Sequence, residues 1–232
     1  MPSSATSAVA DESGGRHEHA ERLAAACLLS GVGGFLDIYT YLFRGHVFAN
    51  AVTGNIVLLG YYLAQVEMGS ALRYALPILF YTLGVLVAEF MHRRLPASRH
   101  ISWHQRVLLL ETMCLLPVAW IPFGEADFAV NALVSFVCAL QVQTFRRVHG
   151  LPFASTMCTG NLRSGAEALF LHWNEGGGAE FRKSLHYGLM IFCFLLGVIA
   201  GSLLLHRCGP LIVLLAPAGL LLVFGLLKER WA

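Results

Sequence analysis

Six stretches of this chain are each long and apolar enough to cross a lipid bilayer, and a chain with six such stretches has few folds open to it. They fall at residues 23–43, 71–91, 107–123, 128–145, 185–205 and 211–227. A hydrocarbon core of about 30 Å takes roughly 17–25 residues of helix. Backbone polar groups in lipid must be satisfied within the segment, which favours helices. The expected fold is therefore an all-α polytopic membrane protein, with the lipid bilayer as its main partner. Composition agrees: 13% of residues are charged, against about 25% in soluble domains.

Two further stretches, 53–66 and 159–173, are apolar but short. At 1.5 Å per residue each would reach only about 20 Å. Both open on the same tripeptide, in "FANAVTGNIV" (48–57) and "ASTMCTGNLR" (154–163). Charge placement bears on whether they cross. If neither does and the N-terminus is cytoplasmic, thirteen Lys and Arg lie inside; only Arg44, Arg73 and Arg207 lie outside, with the acidic "GEAD" connection at 124–127. If both cross, the sixteen positive charges divide almost evenly. Six spans with both termini cytoplasmic is the better reading, and the short segments are then re-entrant or interfacial.

The order of parts repeats: long span, short Thr-Gly-Asn segment, two long spans. The tripeptides lie 106 residues apart, and Leu83-Gly84-Val85 recurs 113 residues later as Leu196-Gly197-Val198. His92-Arg93 recurs as His206-Arg207. This implies a tail at 1–20 and two three-span repeats at 21–123 and 124–232, the second inserted upside down. The tail is small and polar and reads as disordered. It is not a signal peptide, because the apolar run follows it and is too long. Its "HEH" at 17–19 reads as solvated.

An upside-down second copy sends the two Thr-Gly-Asn segments in from opposite faces, to meet near the midplane. Thr53 and Thr159 could cap their helices, and Gly54 and Gly160 could admit a close backbone. Asn55 and Asn161 carry both donors and acceptors, and Asn50 stands just ahead of the first copy. Facing helix N-termini would favour an anionic or strongly polar solute. The alternative is that the tripeptides only cap two short interfacial helices.

Asp37 lies within the first span, with no basic residue one turn away. An intramembrane carboxylate is costly and therefore a functional candidate. The corresponding part of the second half holds Gln141 and Gln143, so any site is asymmetric. Glu89 and Glu111 sit near arginines at span ends and read as interfacial ion-pair members. His46, Arg163 and Glu167 are gating candidates, the last two sharing a helix face. Gly31, Gly33, Gly34, Gly84, Ala88, Gly197 and Gly201 suit close helix packing.

Other chemistries find no footing. Six scattered cysteines form no C-x-x-C pair, and no metal site or cofactor is implied. Hydrolase and ATPase motifs are absent, so an enzyme is not expected. A net charge of +2 gives no basis for a nucleic-acid partner. Oligomeric state is left open, a homo-oligomer included.

The stretches "GGFLDIYTYL" (33–42), "GHVFANAVTGNIVLLG" (45–60) and "LPFASTMCTGNL" (151–162) resemble the YoaK-like family, domain of unknown function 1275. The resemblance runs over residues 22–228 and implies a bacterial inner-membrane protein of six spans; it supplies no substrate. Where relatives look to carry Met-Gln-Asn-Ala late in the fourth span, this chain has Leu140-Gln141-Val142-Gln143. The functional expectation is a transporter or channel for a small polar solute. Its coupling group would be Asp37, and its solute site the paired Thr-Gly-Asn ends. The rival is a non-transporting assembly or regulatory protein.

Overall fold

The structure is a computed structural model describing residues 4–95, 101–124, 126–148, 151–152 and 154–227; side chains are described within those ranges except at 4–21, 148, 151, 205, 206, 208 and 210. Expectations for the 1–20 tail, its "HEH" and the His206 landmark thus fall on side chains outside the described residues, as does Glu125 of "GEAD".

Among the described residues eight helices form the body: α1 (Ser4–Phe43), α2 (Val52–Ala64), α3 (Met68–Arg94), α4 (Trp103–Leu115), α5 (Asp127–Thr144), α6 (Cys158–Glu175), α7 (Gly178–Cys208) and α8 (Leu215–Leu226). A two-residue hairpin, β1 (Arg147–Val148) and β2 (Leu151–Pro152), precedes α6. Four helices among the described residues are long and apolar enough to cross a membrane: Arg22–Phe43 within α1, all of α3 and α5, and Gly178–Leu204 within α7. The protein is an all-α, multi-span membrane protein.

The other two expected spans are compound. Over 107–123, α4 stops at Leu115 and a 3-10 turn, Leu116–Trp120, takes over with Pro117 at its start. Over 211–227, a 3-10 turn, Pro210–Leu214, precedes the 12-residue α8. Proline has no N–H to give the preceding turn, and Pro117 and Pro210 each sit in the opening residues of a 3-10 turn, where that N–H is not needed. The two 3-10 turns pack on each other. At the opposite ends of the same helices, Gln105 Nε2 donates to Leu227 O at 2.9 Å. Helices α4 and α8 are therefore antiparallel neighbours.

Burial divides the long helices into two classes. About two-thirds of the apolar windows of α1 and α5 are buried (67% and 61%), against 22% and 17% for α3 and α7. Helix α1 packs on α7 and α8, while α5 packs on α3 and α4; α2 lies on α3 and α6 on α7. Exchanging α1 with α5, α2 with α6, α3 with α7 and α4 with α8 returns the same set of pairings. Helices α3 and α7 turn Leu79, Leu86 and Phe90, and Phe192, Leu195 and Leu203, to the outside. Such faces suit lipid rather than water.

The two central crossings are close enough to need glycine. A Cβ on Gly197 of α7 would stand 2.0 Å from Gly31 O of α1. One on Gly84 of α3 would stand 2.5 Å from Phe136 O of α5. The Leu-Gly-Val landmark thus marks the same kind of contact in each half, as small residues at membrane helix interfaces allow.

Candidate functional site

The Thr-Gly-Asn helices start one residue before the tripeptide. Helix α2 begins at Val52 and α6 at Cys158, and neither has a side-chain cap. The expected capping by Thr53 and Thr159 is therefore incorrect, since each lies inside the first turn and is exposed. Gly54 and Gly160 also admit no close backbone: the nearest atom to a Cβ on Gly54 is Ala51 Cβ at 3.9 Å, and Gly160 has nothing within 4 Å.

The asparagines hold the entries instead. Asn55 Nδ2 donates to Phe48 O at 3.0 Å, and Asn161 Nδ2 donates to Ala154 O at 2.9 Å. Each reaches seven residues back and pins the chain that leads into its helix. Both are buried, 2% and 4% exposed. Backbone bonds match as well: Ala51 N to Phe48 O and Asn55 N to Ala51 O in the first entry, Met157 N to Ala154 O and Asn161 N to Met157 O in the second. Every one of these pairs is related by the 106-residue offset.

That same offset carries Asn50 onto Thr156, and these two meet. Thr156 Oγ1 donates to Asn50 Oδ1 at 3.0 Å, and Asn50 Nδ2 donates to Thr156 O at 3.2 Å. The contact lies three residues ahead of each tripeptide. Both side chains are buried. Gly33 of α1 makes room for Thr156, whose Cγ2 would stand 2.5 Å from a Cβ there.

Behind this junction stand different groups. On the first side, Asp37 Oδ1 accepts from Asn50 N at 3.3 Å, while Thr40 Oγ1 accepts from Ala49 N. On the second, Gln141 Nε2 donates to Ser155 Oγ at 2.6 Å and to Leu29 O at 3.1 Å. Ser135 Oγ lies 2.6 Å from Ala49 O and 2.8 Å from Pro77 O. It has one proton, so it serves one carbonyl at a time. Pro77 O belongs to the proline inside α3, and the link ties the first entry to α3 and α5 together.

The gating candidates lie elsewhere. His46 is exposed at φ 58°, its ring edge-on to Tyr41 at 5.1 Å. Arg163 and Glu167 are both exposed on α6. Gln143, by contrast, donates to Glu89 Oε2 at 3.0 Å, and Glu89 also pairs with Arg93 as expected of a span end.

Two charged residues depart from their expected places. Arg44, expected in an outer loop, is fully buried. Its guanidinium donates to Tyr39 Oη, Pro122 O and Ile121 O, each at 2.8 Å at the shortest, and to Asp127 Oδ1 at 3.0 Å. The Phe123 ring lies 4.5 Å beneath it. Asn131 Nδ2 then donates to Arg44 O at 2.7 Å. A guanidinium with five donors in a fixed fork can satisfy such a set, whereas a loop charge would have stayed in water. Beside it opens a cavity of about 540 Å³, lined by Arg44, Arg73, Asp127 and Asn131 among apolar groups. Glu111, expected to pair with arginine at a span end, is also fully buried, and neither carboxyl oxygen has a hydrogen-bond partner. Seven residues on from buried His104, Glu111 lies on the same inward face of α4, about 10 Å further along the helix.

Residues 25–227 match the family described as "Protein of unknown function (DUF1275)". The chain belongs to this family. Among curated proteins it is similar to "UPF0700 transmembrane protein YoaK" of Bacillus subtilis (strain 168), 26% identical over 186 residues, which covers 78% of this chain and 81% of that one. No solved structure matches. The DUF1275 match covers α2 to α8 and the part of α1 from Ala25 onward, so the entries and their junction all fall within the family's extent. With its apolar helices, this makes the chain a multi-pass protein of the bacterial inner-membrane type. Among the described residues no group of three His, Cys, Asp or Glu comes together.

Of the residues expected at the site, Asp37, Asn50 and Gln141 fall around the junction, and Asn55 and Asn161 brace its approaches. Thr156 and Ser155 were missed. The signal for Thr156 was in the sequence, since adding 106 to Asn50 gives it.

Proposed function

We propose that this DUF1275 protein is a transporter or channel for a small polar or anionic solute. It would be built as two inverted three-span repeats, with both termini cytoplasmic. The observation that carries the reading is the reciprocal Asn50–Thr156 contact between two helix entries beside a buried carboxylate. Non-helical backbone at membrane depth occurs where protein buries it or a solute path lines it. Helix entries that meet in this way are the usual surroundings of a transporter's solute site.

Two features point to an acceptor-rich solute. Val52 N and Asn55 N are used by the entry itself, leaving Thr53 N and Gly54 N as the first-turn donors of α2. The equivalent groups of α6 are Thr159 N and Gly160 N. The cavity beside Arg44 has a volume suited to a small molecule and two arginines in its wall. Asp37 is the coupling candidate, and His46, Arg163 and Glu167 are candidate gate residues.

One observation favours the rival reading, a non-transporting assembly or regulatory protein. The polar groups of Asn50, Thr156, Asn55 and Asn161 bond to one another and to their own loops. A solute would have to replace some of those bonds.

A flux screen of small carboxylates, phosphate and polar neutral solutes in reconstituted vesicles separates the two. Wild-type protein should pass at least one of them. Asp37→Asn should abolish that flux while the protein still purifies as a folded species. Silence across the screen, or a variant that fails only by not folding, would favour the structural role.

A further inference from the structure

Glu111 is the one buried acid among the described residues whose two side-chain oxygens both lack a partner. It lies on the inward face of α4 between Leu108 and Leu115, both members of the main apolar core. The adjacent Thr112 Oγ1 is also buried and without a partner. An ionised carboxylate here would have neither counter-charge nor donor, a state that costs far more than the neutral acid.

The surroundings offer nothing to compensate it. Helix α5 contributes the Cys138 thiol, which feels both Glu111 and Asp37 electrostatically. Helix α4 itself contributes Cys114 beside the acid and His104 two turns toward its start, where His92 of α3 and Arg22 of α1 are His104's basic neighbours. Glu89 and Arg93 of α3 are paired with each other. Helix α8 and the 3-10 turn after α4 carry no ionisable side chain. A metal cation would need several oxygen ligands, typically about six. Glu111 and Thr112 cannot supply them, whereas a proton needs one carboxyl.

A partnerless acid in an apolar core also destabilises the fold, and a leucine of similar size would pack there without that penalty. A chain that keeps such a group keeps it for something other than stability. We propose that Glu111 is a proton-binding site of the membrane core, exchanging its proton during the protein's working cycle, with Asp37 the second carboxyl of the path beyond Cys138. Exchange breaks the acid O–H bond and forms one on a water that reaches the carboxyl; nothing is oxidised or reduced. Its role as the coupling ion rests on the transport reading above.

The test is infrared spectroscopy of the full chain in vesicles, transferred from H2O to D2O and then stepped in pH. Wild-type protein should show a protonated-carboxyl band that shifts in D2O. Glu111→Gln should lose the part of the band that Asp37→Asn leaves in place, and Glu111→Asp should keep a displaced version. Glu111→Leu should melt no lower than wild type. A wild-type band that never exchanges, one that Glu111→Gln leaves unchanged, or a Glu111→Leu protein that melts several degrees lower would overturn the proposal. The two readings fail separately. An exchanging Glu111 in vesicles that pass no solute sinks transport and leaves the proton site, while solute flux with an unexchanging Glu111 does the reverse.

Discussion

The two helix entries share a backbone brace and differ in what secures the chain in front of it. In both, an asparagine reaches seven residues back to hold a loop carbonyl, at 3.0 Å and 2.9 Å. Ahead of the first stands Arg44, buried and fixed to the ends of two other elements. Ahead of the second stands a two-residue hairpin with an exposed Arg147. Behind them the contrast continues, with a carboxylate (Asp37) on one side and an amide (Gln141) on the other. Two helix entries can thus share a backbone geometry and still differ in the chemistry that stands behind them. If a solute passes between the entries, it meets an acceptor on one side and a donor on the other.

The difference in anchoring should be the easiest to see. Arg44→Ala strands Asp127 and several buried carbonyls, and breaking a buried pair of this kind costs about 3–5 kcal/mol. Arg147→Ala, at an exposed position, should stay within about 0.5 kcal/mol of wild type. Chemical unfolding of the detergent-solubilised protein compares them, and equal losses would remove the distinction between the two anchors.

The likeness should appear at the crossings. Gly84→Val and Gly197→Val each force a side chain into a backbone carbonyl, an overpacking worth about 1–3 kcal/mol. The two should fall close together in the same unfolding assay; a loss confined to one would mean the crossings are not equivalent. Smallest of the three are Asn55→Ala and Asn161→Ala. Each leaves one loop carbonyl without its donor, for about 1–2 kcal/mol. Unequal losses there would show that one brace has been taken over by its surroundings.

Much of this was legible in the residues. Apolar length gave α1, α3, α5 and α7, because crossing a bilayer needs little beyond hydrophobicity and length. Glycine spacing anticipated the crossings of Gly84 and Gly197, because only a missing side chain lets two backbones come so near. The compound third and sixth spans were hidden behind apolar composition, although Pro117 and Pro210 were there to be read as breaks. The expected caps failed for a simpler reason: Thr-Gly-Asn is a helix's first turn and its brace, and the bond that matters reaches back to Phe48 or Ala154.

What the sequence by itself determined is the solvent of the fold, the four long apolar helices among its six expected spans and the 106-residue correspondence between the entries. These follow from local quantities such as hydropathy, length and spacing. Only the tertiary structure decided that Asn50 meets Thr156, that Arg44 is buried and satisfied, and that Glu111 is buried and alone. A side chain's partners come from whatever other elements pack against it. In a helix, a step of one residue turns a side chain through about 100°, enough to separate an acid facing arginine from one facing leucine.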